Sequence, residues 1–209
     1  PEEIANCTDL TELYVNFTFL EELPAGIGKL INLRKLHLWN ITFEPSNLLP
    51  PQISQLSNLR ELFICGHKTR FLPPEIGDLG NLTELTMMGA HLDELSPEIG
   101  RLEKLEKLRI TGCNFSVIPE EIGQLTNLKK LTIVNTPVKE LPDGLAALTK
   151  LEELDLHSLQ FEIIPQEIMN LPKLKKLTIN KRDYPRLKNS IDGLPSSVKL
   201  DLMPSRWDP

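Results

Sequence analysis

Any chemistry in this chain would have to come from four histidines, three cysteines and its carboxylates. Three combinations are conceivable: Cys65 with His37 as nucleophile and base, Glu61 with Asp155 as an acid–base pair, and His157 with Asp155 as part of a metal site. No CxxC, no His/Cys spacing of the metal-binding kind and no phosphate-cradling glycine loop accompanies them. Whether any pair can meet depends on the elements that carry these side chains.

Those elements repeat. The stretch Pro119 to Leu141, PEEIGQLTNLKKLTIVNTPVKEL, is one 23-residue unit written again before and after itself. Units open at Pro1, Pro24, Pro50, Pro73, Ser96, Pro119, Pro142 and Pro165, always 23 residues apart except for the 26 between Pro24 and Pro50. Counting the opening residue as offset 0, the offset-12 column reads Leu13, Leu36, Leu62, Leu85, Leu108, Leu131, Leu154 and Leu177. Offset 14 reads Val15, Leu38, Ile64, Met87, Ile110, Ile133, Leu156 and Ile179. A spacing of two is that of a strand with one buried face, and apolar residues at offsets 3, 6 and 9 form a short helical stripe. Each unit is therefore a strand plus a turn of helix, and a recurring period in the twenties builds a solenoid.

Offsets 11, 13 and 15 then point away from the core. Offset 13 begins Tyr14, His37, Phe63, Thr86; offset 15 begins Asn16, Trp39, Cys65, Met88; offset 11 begins Glu12, Lys35, Glu61, Glu84. Aromatic residues are only 5% of the chain, yet Tyr14, His37, Trp39 and Phe63, with Met88, gather on this outward face. An exposed apolar patch rimmed by charge marks an interaction site; cross-strand ring packing is the structural alternative. His37 and Cys65 fall in different columns, with Cα atoms about 8 Å apart and no third group to orient them. Glu61 and Asp155 are four units apart, and Asp155 with His157 reads as a surface pair. Intrinsic catalysis and metal binding are not expected.

Net charge is −6, and it is uneven: residues 1–104 carry 8 Lys/Arg against 15 Asp/Glu, whereas 105–209 carry 15 against 14. That balance would repel nucleic acid. No apolar run approaches the roughly 20 residues of a membrane span. Cys7, Cys65 and Cys113 occupy unrelated offsets, which argues against a disulfide framework and for a reducing, cytoplasmic compartment of the producing cell or of a host. Asn6, Asn16, Asn40, Asn81 and Asn114 form Asn-x-Ser/Thr triplets that point the other way, toward an extracellular setting.

The pattern PxxIGxLxxLxxLxL, as in PPEIGDLGNLTELTM and SPEIGRLEKLEKLRI, resembles the 23-residue leucine-rich repeats of bacterial proteins and of the plant and animal intracellular group related to Ras-signalling scaffolds. The resemblance runs from residue 1 to about 202. It implies an α/β solenoid, curved, with a parallel sheet on the concave face and short helical or 3₁₀ segments outside, and a role in binding proteins without cofactors. It also implies asparagine or cysteine at offset 17, where a side chain would bond the neighbouring unit's backbone. Here that column is Thr18, Ile41, His67, Ala90, Cys113, Thr136, Leu159 and Arg182. The ladder is missing, so the turns should be less uniform, with Thr18, Cys113 and Thr136 covering part of the loss.

Eight repeats are expected over residues 1–187, with a small bulge at the insertion between Trp39 and Pro50. A degenerate ninth unit with a strand near Val198 to Leu202, and a cap containing Trp207, are expected over 188–209. Pro1 opens a unit without a polar cap, so chain upstream is expected; otherwise that end meets a partner or a second copy. The functional reading is a protein-interaction module whose partner seats on Tyr14, His37, Trp39, Phe63 and Met88 with Glu12, Lys35, Glu61 and Glu84 around them. The alternatives are the targeting part of a larger bacterial effector or sensor, and a structural repeat that self-associates.

Overall fold

The computed structural model describes residues 2–16, 23–39, 49–66, 70–159 and 161–204. The three-residue insertion after Trp39, where a bulge is expected, and Trp207, expected in the cap, lie outside these described residues. From the second to the seventh unit, each opens on an extended residue, from Pro24 to Pro142, with φ between −60 and −70°. Proline is locked near that φ, which suits it to the position. A five-residue 3₁₀ segment follows, as at Pro74–Asp78, Pro97–Arg101 and Glu120–Gln124. The leucine after it closes the turn by donating its N–H to the isoleucine carbonyl three residues back: Leu79 to Ile76 at 3.3 Å, Leu125 to Ile122 at 3.2 Å. The apolar stripe at offsets 3, 6 and 9 is thus wound at three residues per turn rather than as an α-helix.

The Ile-Gly glycines let these outer segments stack closely. A Cβ on Gly100 would stand 2.5 Å from the carbonyl oxygen of Glu121 in the next unit, and one on Gly123 would stand 2.4 Å from that of Gly144. Backbone meets backbone there, so any side chain would wedge the units apart.

Nine parallel strands form one open sheet in sequence order: β1 (Glu12–Asn16), β2 (Lys35–Trp39), β3 (Glu61–Cys65), β4 (Glu84–Met88), β5 (Lys107–Thr111), β6 (Lys130–Val134), β7 (Glu153–Asp155), β8 (Lys176–Asn180) and β9 (Lys199–Met203). The register is the unit length itself. Leu13, Leu36, Leu62, Leu85, Leu108, Leu131, Leu154, Leu177 and Leu200 face one another strand by strand. The seven inner members are at most 1% exposed, and each such leucine contributes roughly 1.5–3 kcal/mol. Leu13 and Leu200, at the ends, are only partly buried, because each has a neighbouring unit on one side.

Among the described residues the offset-17 column carries no asparagine ladder, as its residue types imply: Ala90, Cys113, Thr136 and Leu159 are buried there, and Thr18 lies outside the described residues. Thr136 Oγ1 has no hydrogen-bond partner among the described residues, whereas the Cys113 thiol, 3.9 Å from Thr111 O of its own unit, also makes backbone hydrogen bonds with Leu92 and Ala90 of the preceding unit and so covers part of the loss, as expected. The described turns share one step over five units but are not uniform, since His91 adds a second left-handed residue in one unit and Lys181 of the eighth unit lacks the step. Gly66, Gly89, Gly112, Asn135 and Ser158, all at offset 16, hold φ between 54 and 72°. That left-handed step suits glycine and asparagine. The N–H groups of Gly66, Gly89 and Gly112 donate to Met88, Thr111 and Val134 of the next strand at 2.8, 2.7 and 3.1 Å.

An asparagine ladder does exist, at offset 8. Asn32, Asn58, Asn81 and Asn127 each donate from Nδ2 to a carbonyl of the preceding unit, those of Thr8, Ile31, Ser57 and Glu103, at 2.7–3.0 Å. Where the column switches to lysine, the cation takes over from the other side: Lys104 and Lys150 donate to Asn81 Oδ1 and Asn127 Oδ1, both at 2.6 Å.

Near the end the 3₁₀ segments give way to helices, α1 (Gln166–Met169) and α2 (Tyr184–Ile191). Helix α2 stands where the sequence loses its pattern at KRDYPRL, and it buries Leu187 and Ile191.

Candidate functional site

The open face of β1–β4 is built by alternation: offsets 12 and 14 of a unit fill the core, so offsets 11, 13 and 15 stand on the open side. Register places Tyr14 beside His37 and His37 beside Phe63, and it places Asn16, Trp39, Cys65 and Met88 in a second row. Four rings converge. Tyr14 meets His37 edge-on at 4.8 Å between centroids, His37 lies 5.3 Å from Phe63 and 6.4 Å from Trp39, and Trp39 meets Phe63 at 5.5 Å with planes 62° apart. Such offset and edge contacts each add about 0.5–1.5 kcal/mol beyond area burial. They do not hide the cluster: Tyr14 remains 56% and Trp39 40% exposed. Met88 is set apart, two strands from Trp39 with Cys65 between them.

The charged row pairs along the sheet. Lys35 Nζ sits 3.6 Å from Glu12 and 3.7 Å from Glu61, Lys107 sits 2.6 Å from Glu84, and Lys130 sits 2.6 Å from Glu153. The two flanking carboxylates raise the pKa of Lys35, and Tyr14, whose hydroxyl donates to Glu12 at 3.0 Å, has its phenol raised by that bond and by the carboxylate charge. Both groups are open to solvent, so these pairs order the surface more than they stabilise the fold.

None of the three conceivable chemical pairs is assembled as a reacting pair. His37 has Tyr14 and Phe63 as register neighbours, whereas Cys65 has Trp39 and Met88. His37 Nε2 is instead held 2.8 Å from Glu61 Oε1, a contact that the column assignment alone did not reveal. Glu61 on β3 and Asp155 on β7 are separated by three strands. His157 Nδ1 is 2.6 Å from Asp155 Oδ1, a pair on the sheet surface. Among the described residues no group of three or more His, Cys, Asp and Glu could hold a metal ion, and no helix is long and apolar enough to cross a membrane.

Comparison with known families finds that the model of the leucine-rich repeat region matches residues 74–192, more than half of the chain. This is a leucine-rich-repeat protein. A search of curated proteins finds no significant match. Among solved structures, this leucine-rich-repeat chain is similar to a leucine-rich-repeat protein of Leptospira interrogans, with 29% identity and a TM-score of 0.72 over 96% of this chain and 56% of that one. Internalin C2 of Listeria monocytogenes aligns with a TM-score of 0.74 and 21% identity over 96% of this chain and 84% of that one, a likeness of fold. The ectodomain of the Arabidopsis receptor kinase HAESA, solved with a peptide hormone ligand, aligns with 26% identity and a TM-score of 0.68 over 86% of this chain and 30% of that one. This leucine-rich-repeat chain therefore spans little more than half of the Leptospira protein and about a third of the HAESA ectodomain. Leucine-rich-repeat regions are generally protein-interaction modules and typically non-enzymatic.

Two surface features of this leucine-rich-repeat protein escaped the column reading. The offset-8 ladder was signalled by the recurring Asn-Leu in INL, SNL, GNL and TNL. The second is an exposed apolar row at offset 21, Phe71, Val117 and Ile163, which recurs in alternate units and therefore breaks no single-unit pattern.

Proposed function

We propose that this chain binds a protein partner on the open face of β1–β4, without catalysis of its own. Trp39 and Phe63 anchor the partner, Tyr14, His37 and Met88 fill around them, and Glu12, Lys35, Glu61 and Glu84 set the charge that the partner meets. The observation that carries this reading is the exposure of Trp39 and Tyr14, 40% and 56%, in a ring cluster that stands on the solvent side of the sheet. Large rings left open at a desolvatable centre, with ion pairs at the rim, are the composition of an interaction hot spot.

The test is the double substitution Trp39→Ala/Phe63→Ala. The rings add edge contacts above a leucine core that does not depend on them, so a fall in Tm of only a few degrees is expected. In affinity capture followed by mass spectrometry, proteins retained by the parent chain should be lost from the variant. An unchanged set of retained proteins refutes the assignment of this face, and collapse of the fold shows that the rings are structural.

A further inference from the structure

A second surface is built on the flank of the solenoid, away from the sheet face. At offset 21, successive units place Phe71, Glu94, Val117, Glu140 and Ile163, an alternation of apolar and acidic side chains. Val117 and Ile163 are 70% and 67% exposed, the most open of the large apolar side chains among the described residues. Two adjoining grooves of about 520 Å³ run between them: Val117, Glu140, Lys139 and Leu141 line the first, and Glu140, Leu141, Glu162 and Ile163 the second. Glu120 and Asp143 also border the first groove. Among the described residues the walls of these two grooves thus bring Glu120, Glu140, Asp143 and Glu162 together with Lys139, and Arg186 joins Lys139 and Glu162 only in the neighbouring groove, where it pairs with Asp183.

The charge here is left open, unlike that of the sheet face. Lys130 neutralises Glu153 on β6 and β7, whereas Glu140, Asp143 and Glu162 make no ion pair among the described residues. Spacing adds a second constraint. Units lie about 4.8 Å apart along the sheet, so alternate units put Val117 and Ile163 about 10 Å apart, close to two turns of an α-helix, about 10.8 Å. An extended strand would turn alternate side chains away from the surface at that interval. We infer that this flank docks a basic amphipathic helix of a partner protein, its apolar side chains seven residues apart on Val117 and Ile163 and its Lys or Arg residues over Glu140 and Glu162. This surface is separate from the ring cluster, and its argument does not depend on it.

The experiment pans a phage-displayed library of random 16-residue peptides against the Trp39→Ala/Phe63→Ala chain, so that the sheet face is disabled. The expected winners are rich in Lys and Arg with apolar residues at a seven-residue interval, and become helical when bound. Their affinity should fall about tenfold in Val117→Ser/Ile163→Ser, the loss of two apolar contacts. In Glu140→Gln/Glu162→Gln, and on raising salt, it should fall about threefold or more. All four positions are on the surface, so the variants should melt with their parent. Acidic or neutral winners, affinities indifferent to both double substitutions, or no winner that depends on Val117 would overturn the inference. So would a dimer in solution that dissolves in Val117→Ser/Ile163→Ser, which would give the flank to a second copy of the chain.

Discussion

Replacing Asn81 by alanine tests whether the offset-8 ladder holds successive units together. Asn81 Nδ2 donates to Ser57 O of the preceding unit at 2.7 Å, and its Oδ1 accepts from Lys104 of the following unit at 2.6 Å. One side chain therefore ties three units. A neutral hydrogen bond contributes about 0.5–1.5 kcal/mol net, and a solvent-exposed bond from an ammonium, screened by water, adds only about 0.5 kcal/mol. Because Ser57 is exposed, its carbonyl can turn to water once orphaned, so the full desolvation penalty is avoided. The expected cost is about 1–2 kcal/mol, a fall in Tm of about 2–8 °C for a chain of this length. Asn127 makes the same two bonds, to Glu103 O at 2.7 Å and from Lys150 at 2.6 Å, two units away. The sites should add, giving about 2–4 kcal/mol for Asn81→Ala/Asn127→Ala. Asn81→Asp keeps the acceptor for Lys104 but sets a carboxylate against Ser57 O, so it should cost at least as much as alanine. Urea denaturation followed by circular dichroism gives these values, provided the slope m stays constant. A cost below about 0.3 kcal/mol for Asn81→Ala would show that the ladder accompanies the stacking without supporting it.

Three further predictions follow from the core, the outer face and the charge network. Leu131→Ala, in a column where the side chain is 1% exposed, should cost roughly 2–5 kcal/mol in chemical denaturation; a neutral result would contradict the observed register. Gly100→Ala should destabilise by about 1–3 kcal/mol through the clash with Glu121 O, whereas Gly80→Ala, with nothing within 4 Å of the new Cβ, should be neutral or gain up to about 1 kcal/mol; equal effects in thermal melts would refute the close stacking. Hydrogen bonds from Arg70 and Asn114 hold the Asp93 carboxyl below its ordinary 3.8. A depressed folded pKa gives stability that is present above the unfolded value and lost as pH falls through the folded one. Stability should therefore drop below about pH 4, and Asp93→Asn should shallow that drop; an unchanged acid limb in pH-dependent urea titrations would remove Asp93 from the account.

The residues proposed for docking divide by how far local spacing reaches. Tyr14, His37, Trp39 and Phe63 could be assigned to one face because strand alternation, unit length and parallel stacking are all periodic, and periodicity is written in residue types. The bond from His37 to Glu61 could not be read, because it joins different columns on neighbouring strands and depends on side-chain direction. The step at offset 16 was equally hidden, because Gly66, Gly89 and Gly112 in three consecutive units carry no side-chain chemistry yet supply a left-handed conformation that lets each N–H reach the next strand.

By itself, the sequence determined the solenoid, the register of its strands and the identity of its core, since a leucine repeated every 23 residues can be buried only by stacking on its own copies. Tertiary structure alone decided which polar groups bond between units and which charges stay unpaired. Those outcomes rest on distances of a few tenths of an ångström between residues 23 or more apart, such as Lys107 on Glu84 at 2.6 Å, whereas Glu140 on the flank makes no ion pair among the described residues. Column membership brings such residues near one another, and only the packed geometry selects the contacts.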